Sequence, residues 1–495
     1  MAGKDKPRRT VPRLARGFRD LDPEDVVARR TMIERVRAVY ERYGFLPLET
    51  PAVEYVDVLG KFLPESATPE GGIFSWKYDD DEWVALRYDL TAPLSRYVAK
   101  NFQELGLPFR RWQTGQVWRL EKPEPGRYRE FTQLDIDIVG AAGVMADAEV
   151  AAVMSEAMEA LGIPAGSYQV RMNHRKVLNG LLERAGCAPD QAGTVLRALD
   201  KLDRLGPGGV RDLLGPGRTD PSGDFTPGAG LSPERIDQLM AFLEAPAADR
   251  GAYLRAVAAL VTGSKVGEEG LAEMTELDQI LRERGLDEGR VVFSPSIVRG
   301  LAYYTGPVLE IALTFDVAGE DGQRTEFGSV AGGGRYDDLV GRFMGQPVPA
   351  TGASIGVDRL LTALKALGQL RLERSPCPVL VTTLDARFRA DYQRMASELR
   401  AAGIATELYV GSGGVAKQFR YADKRRFTVV VIAGGDEMEK GEVALKDLRL
   451  GEELSKKAEF QQDRAAWLES LPGQLSVPRG ELVAQVEGLL ARYTR

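Results

Sequence analysis

Between Phe109 and Gly140 the chain alternates closely enough for both faces of a strand to be named. Thr132, Leu134, Ile136 and Ile138 fall on one side of an extended segment, and Phe131, Gln133, Asp135 and Asp137 on the other, because side chains alternate with period two. One side is core and the other is a row of mostly polar groups. Trp112 to Glu121 alternates as a partner strand, and Lys122-Pro123-Glu124-Pro125-Gly126 supplies the breakers that turn the chain back. The two form an antiparallel hairpin, with Arg119 ending the first strand and Arg127 and Arg129 beginning the second.

The same reading places the other elements. Asp22-Pro23 predicts a helix N-cap and first-turn proline, Val26, Ile33, Val36 and Tyr40 continue it at helical spacing, and Gly44 ends it. Phe45 to Pro51 is a short strand, Trp83 to Arg87 another, and Asp89-Leu90-Thr91-Ala92-Pro93 leads into a helix capped by Thr91. Asp147 to Leu161 is helical, and Tyr168 to Met172 is a strand that His174 joins to a helix over Arg175–Ala185. Gly206 to Gly230, dense in Gly, Pro, Asp and Ser, reads as a long loop between helices. Val291 to Ile311 is strand-like, and Gly328 to Asp337, with Gly332-Gly333-Gly334 at its centre, reads as a flexible turn that a ligand can approach closely. Thr351 to Ile355 is a strand of mostly small residues, and Gly356 leads into a helix with Asp358 and Arg359 in its first turn.

Beyond the charged linker Leu367–Pro378, short apolar strands at Val379–Thr383, Thr406–Val410 and Phe427–Ile432 alternate with helices, and Glu481–Tyr493 is a last amphipathic helix. The chain is therefore of mixed α/β class. A basic arm, expected to be mobile, covers 1–19; an α+β main domain with an antiparallel sheet and flanking helices covers 20–185 and 289–368. A helical insertion occupies 186–288, and a small α/β domain with a C-terminal helix occupies 376–495.

Composition narrows the chemistry. The 495 residues, 44% hydrophobic and 28% charged, suffice for two or three domains with their own cores. No apolar run is long enough to span a bilayer, which predicts no membrane partner. Two cysteines, Cys187 and Cys377, make no disulfide framework and fit a reducing cytoplasm. One histidine with two scattered cysteines rules out a Cys/His zinc site, and no metal site is predicted from the protein alone; at its strand-to-helix junction, His174 reads as structural. A net charge of −7 argues against a nonspecific nucleic-acid coat, so any RNA contact rests on local patches such as Lys417, Arg420, Lys424 and Arg425 on a helix over Val415–Arg425.

Three sets of residues carry candidate chemistry. Arg119, Arg127 and Arg129 present planar, permanently charged forks that suit phosphate, although a hairpin with a solvated face gives the same pattern. Asp89, at the strand-to-helix turn, suits a substrate ammonium or a helix cap. Arg359, beside a strand of small residues, can lie against a planar base.

Arg119-Leu120-Glu121, the proline-containing loop, Gly126 to Phe131, Gln133 and Asp137 resemble motif 2 of the class II aminoacyl-tRNA synthetases, in the version of the histidyl-tRNA synthetase family. Arg299-Gly300-Leu301-Ala302-Tyr303-Tyr304-Thr305-Gly306 resembles a signature of that family, with Ala302 where the common form has Asp. Thr351–Arg359 resembles motif 3, and the first helix and strand resemble motif 1. The resemblance implies a class II catalytic domain, a C-terminal anticodon-binding domain, a homodimer, and the substrates histidine, ATP with Mg2+, and tRNA(His). It implies Arg119 and Arg299 as catalytic residues; Asp89, Thr91, Gln133, Asp137, Tyr303 and Tyr304 on histidine; and Arg119, Arg127 and Arg359 on ATP. Two alternatives share parts of this pattern. One is a noncatalytic relative such as the synthetase-like regulatory subunit of ATP phosphoribosyltransferase; the other is a class II synthetase for threonine, proline or glycine.

Overall fold

The computed structural model describes residues 10–59, 72–79, 82–122, 128–220, 223–247, 249–298, 304–318, 324–326, 328–366, 377–455 and 473–493. Arg127, Arg299 and Tyr303 lie outside these, as does most of the linker over 367–378. The chain divides into two compact units, residues 1–21 with 28–370, and residues 22–27 with 371–495.

Helix α1 (Pro23–Arg42) starts where Asp22 accepts the Asp25 amide at 2.9 Å, buries Met32, Val36, Val39 and Tyr40, and stops at Gly44, whose φ of +77° suits glycine. It leads into an eight-stranded sheet built from β1 (Leu46–Pro47), β2 (Phe109–Trp118), β3 (Glu130–Val139), β4 (Tyr168–His174), β5 (Val291–Phe293), β6 (Pro307–Leu313), β7 (Ser329–Arg335) and β8 (Ala350–Gly356). Their order is β1-β2-β3-β8-β7-β6-β4-β5. The central pairings are antiparallel, and the edge pairs β1/β2 and β4/β5 are parallel. Helices α2 (Thr91–Asn101), α3 (Met145–Ala160) and α4 (Val357–Ala366) flank the sheet. The mixed α/β class read from the sequence is the class observed.

Four local expectations change. The cap of α2 is Asp89, whose Oδ1 accepts the amides of Thr91 and Ala92 at 3.1 and 2.9 Å, while Thr91 is already helical. The carboxylate reaches both orphan amides from two residues upstream. Gly332-Gly333-Gly334 is the middle of β7, a strand and not a turn: a Cβ on Gly333 would stand 2.1 Å from the Gly352 carbonyl oxygen, so glycine is what lets β7 and β8 approach here.

The stretch from Gly206 to Gly230 is not one loop. Gly206, at φ +66°, kinks the helix over Leu202–Leu214, after which Gly217–Thr219 and Phe225–Pro227 pair as an antiparallel hairpin. Its glycines and prolines mark kinks and turns between short elements. Finally, the arm expected to be mobile is fastened at Arg16–Arg19, where Gly17 accepts the Arg129 amide at 2.9 Å and Arg19 pairs with Asp358 at 2.6 Å.

The insertion is otherwise helical, with helices over Pro189–Leu199, Pro233–Leu243, Arg250–Val261 and Lys265–Glu283. The smaller unit holds a five-stranded sheet in the order Thr406–Leu408, Val379–Val381, Val429–Ile432, Glu442–Asp447, Gln474–Pro478. Its first three strands run parallel and its last two antiparallel, around a core that includes Val379, Val431, Met395 and Leu399.

Candidate active site

The polar side of β3 is buried and lines a cavity of about 630 Å³. That cavity brings together Asp89, Thr91, Arg119, Gln133, Asp137, Tyr304 and Arg359, seven of the residues singled out in the sequence. Strand register gives it direction. On β8, Gly352 stands opposite Asp137, Ser354 opposite Asp135 and Gly356 opposite Gln133. At roughly 3.3 Å per residue, Gln133 and Asp137 are about 13 Å apart along the strand.

The Asp137 end is acidic and tightly held. A Cβ on Gly352 would lie 2.2 Å from Asp137 Oδ1, so the glycine makes room for the carboxylate. Tyr336 donates its hydroxyl to the same oxygen. Arg111, fully buried and opposite Asp137 on β2, brings its Nη2 within 2.7 Å of Asp137 Oδ2 and donates to the Leu90 carbonyl at 3.1 Å. Burial still pushes the Asp137 carboxyl above its usual range, against the pull of Arg111 and of the Tyr336 hydrogen bond. Burial, reinforced by Asp89 and Asp137, raises the Tyr304 phenol well beyond its ordinary value, so at neutral pH it is a protonated hydroxyl with a hydrogen to donate.

Two residues nearer the hairpin loop, Asp135 is also buried, and its Oδ1 has no hydrogen-bond partner among the described residues. Desolvation pushes this carboxyl up to about 7; Arg111 opposes the rise and Asp137 adds to it. A carboxyl whose folded-state pKa lies above its unfolded value of about 4 binds more protons in the native state between those two values, so native stability falls as pH rises through that window. Asp135→Asn is expected to remove this loss, flattening stability against pH between about 4 and 7 and stabilising the free protein at pH 8 by about 2–4 kcal/mol at most. Thermal unfolding across pH 5 to 8 is the check; an unchanged slope would contradict it.

Gln133 donates from Nε2 to Ser354 Oγ at 2.9 Å, which leaves its buried Oε1, unpartnered among the described residues, as an acceptor. Asp89 both caps α2 and lines the cavity, so the two uses read from the sequence coexist. The opposite end is basic. Arg119, one residue past β2, lies 4.2 Å over the Tyr88 ring and 5.1 Å from the Phe131 ring centre, and Nε donates to the Tyr88 carbonyl at 3.3 Å. Its guanidinium is therefore fixed in plane, with aromatic faces on its flanks. Arg359, three residues past Gly356, lines the same cavity. Between the ends, Gly332, Gly333 and Ala353 leave a surface without bulky side chains.

Sequence reasoning assigned no role to Arg111, Tyr336, Ser354 or Asp135. Alternation put Asp135 on the polar face of β3, but Arg111 lay before the strand expected from Trp112, and the register that sets it against Asp137 is not a local property. His174 is a structural residue: fully buried, it accepts the Lys176 amide on Nδ1 at 3.1 Å to cap the next helix, and Nε2 meets Glu273 at 2.7 Å.

Known proteins resemble this chain over its length. A family model described as histidyl-tRNA synthetase matches residues 17–360, and one described as an anticodon binding domain matches residues 378–462. The chain is 51% identical over 493 residues to a histidine–tRNA ligase of Rhizobium rhizogenes, covering 98% of this chain and 97% of that one. It is 50% identical over the full length of both chains to a histidine–tRNA ligase of Jannaschia sp.. Among solved structures, the histidyl-tRNA synthetase of Nostoc sp. PCC 7120 superposes with a TM-score of 0.73 at 28% identity, covering 98% of this chain and 100% of that one.

Proposed function

The chain belongs to the histidyl-tRNA synthetase family and is an ATP-dependent ligase that joins histidine to tRNA(His), and we propose that its cavity performs the activation step with the acidic end on histidine and the basic end on ATP. Asp137 and Tyr304 read the imidazole through its two ring nitrogens, one as acceptor and one as donor. Gln133 Oε1 and Asp89 hold the ammonium, and Thr91 and Tyr303 complete the histidine pocket. The histidine carboxylate then points toward Arg119.

That carboxylate is ionised at neutral pH, so activation needs no general base. One of its oxygens attacks the α-phosphorus; the new O–P bond forms as the bond to the bridging oxygen breaks, and pyrophosphate leaves with that electron pair. The barrier is lowered by alignment and by positive charge at the phosphoryl oxygens. Arg119 and Arg299 supply that charge at the α-phosphate, Arg127 holds the distal phosphates, and Arg359 lies against the adenine. Mg2+ arriving with ATP would neutralise the remaining phosphate charge. No group of three or more potential metal-ligating side chains occurs among the described residues, so no step is assigned to an ion held by the protein alone.

The observation that carries this reading is the polarity of one cavity, with Asp137 and Asp135 toward one end of β3 and Arg119 and Arg359 toward the other. The same reading makes the chain a cytoplasmic homodimer through its α1–β1 segment. Its C-terminal unit binds the tRNA anticodon, and the exposed Lys417, Arg420, Lys424 and Arg425 support that contact. Amino-acid-dependent exchange of pyrophosphate into ATP, run with each standard amino acid separately, is expected to proceed with histidine alone. Exchange with another amino acid at a comparable rate, or with none, would overturn the assignment of the pocket.

A further inference from the structure

The segment Arg16–Arg19 contributes no lining to the cavity, yet it is fastened to both elements that deliver the cavity's arginines. One attachment is the stem of the hairpin loop. Arg119 N donates to the Arg129 carbonyl at 2.9 Å, and Arg129 Nε donates to the Glu121 carbonyl at 3.1 Å, so Arg129 closes the stem that Arg119 opens. The arm holds this same residue: Gly17 accepts the Arg129 amide at 2.9 Å and Arg16 accepts from Arg129 Nη1 at 3.3 Å. Gly17 has φ +88°, and a Cβ there would stand 2.8 Å from the Arg129 side chain, so the chain passes Arg129 only as glycine. Phe18 anchors the turn edge-on against Phe74, with ring centres 5.9 Å apart.

The other attachment is α4. The Arg19 guanidinium lies 4.0 Å over the Tyr128 ring and brings Nη2 to 2.6 Å from Asp358 Oδ1. Asp358 is itself nearly buried in the first turn of α4, and its Oδ2 accepts the Thr132 amide of β3 at 2.7 Å. One carboxylate thus joins the arm, the start of β3 and the helix turn that carries Arg359. An acid there is also favoured by the positive end of the helix. Arg19 does two things together that lysine cannot: its flat face stacks on Tyr128 while its edge pairs with Asp358.

We propose that Arg16–Arg19 is a strap that sets the spacing between the hairpin stem and α4, and that Arg19 is a positioning residue for ATP. This rests on the reading of Arg119 and Arg359 as ATP-binding residues. The strap is fastened at the hairpin-stem end of β2 and β3; Asp137 lies about 16 Å further along β3, and Arg111 and Tyr336, which hold it, stand at that far end of β2 and just past β7. Its loss is therefore expected to separate the two substrates.

The test uses the full-length chain. Arg19→Ala is expected to raise KM for ATP by roughly ten- to a hundredfold, the cost of displacing a reacting group by a fraction of an ångström to an ångström, with KM for histidine and Tm close to wild type. Arg19→Lys, which keeps charge without the combined stack and pair, is expected to fall between. Arg19→Ala combined with Asp358→Asn should cost no more than the larger single change, because both break one connection. Arg359→Ala separates the two layers of inference. If it weakens ATP while Arg19→Ala does not, the strap is wrong and the ATP reading stands; if Arg359→Ala leaves ATP untouched, the ATP reading itself falls. Equal loss of both substrates with a lowered Tm in Arg19→Ala would make the segment a stability element only and overturn the proposal.

Discussion

Replacing Arg119 by alanine is expected to lower kcat/KM for histidyl-adenylate formation by about 10³-fold, close to 4 kcal/mol of transition-state stabilisation. The size follows from how the side chain is held. Tyr88 and Phe131 flank the guanidinium and its Nε is committed to the Tyr88 carbonyl, so the charge is oriented before the substrates arrive. A preorganised cation acts mainly on charge that develops at the phosphoryl oxygens, so the loss should appear in kcat more than in substrate binding. Arg119→Lys should recover only part of it, because a point charge on a flexible stem neither stacks between two rings nor presents a fork. Single-turnover adenylate formation, with histidine binding measured separately by calorimetry, checks this. A rate within tenfold of wild type would remove Arg119 from the chemistry.

Arg111→Met carries the largest expected cost in stability. Arg111 is wholly buried, and its removal leaves the Asp137 carboxylate, among the described residues, with the Tyr336 hydroxyl and takes from Asp135 a cation that opposes its desolvation. Breaking a buried ion pair from one side costs about 3–5 kcal/mol, because the surviving charge stays desolvated. For a unit of this size that is a fall in Tm of roughly 4–7 °C. The pH dependence has a definite sign. Both acids already have raised folded-state values, so the native state binds extra protons above their unfolded pKa, and losing Arg111 raises them further. The penalty is therefore largest at pH 8 and shrinks as pH falls and the carboxyls protonate. Arg111→Met with Asp137→Asn should restore most of the loss by removing the stranded charge. Calorimetric unfolding at pH 8 and pH 6 reads both effects; equal penalties at the two pH values would contradict the account.

In the proposed reading, the histidine pocket depends on a residue that never needs to touch histidine. Arg111 and Tyr336 fix the Asp137 carboxylate from behind, while Ser354 fixes the orientation of the Gln133 amide by accepting from Nε2. In the proposed mechanism these groups make the acceptor pattern rigid, so that the pocket discriminates by the placement of ring nitrogens. A polar pocket built this way rejects isosteres lacking the matching donor, because its own buried groups would then be left unpaired.

Much of this was legible in the residues. Alternation alone assigned the two faces of β3, the hairpin, and the change from sheet to helix at Gly356, because strand and helix periods are local properties of the backbone. One histidine and two scattered cysteines are too few for a Cys/His zinc site, which composition alone shows. Glycine and proline were harder to read. Gly332–Gly334 looks like a turn because glycine frees the backbone, yet here glycine serves close approach of two strands. Asp89 and Thr91 both suit a cap, and only the path of the chain decides which reaches the free amides.

Local pattern carried most of the element types, the mixed α/β class and the set of residue types available for phosphate and amino-acid recognition. Tertiary structure decided which of them meet. Asp137 and Tyr336 are 199 residues apart, Gln133 and Ser354 are 221, and Thr132 and Asp358 are 226. No local pattern encodes such pairs, because the register between distant strands is set by packing the whole sheet against its helices. The same packing turns the polar face of β3 from an ordinary solvated surface into the wall of a cavity. Desolvation there raises the carboxyl of Asp135 and gives buried Arg111 its importance, and desolvation exists only once the chain has folded.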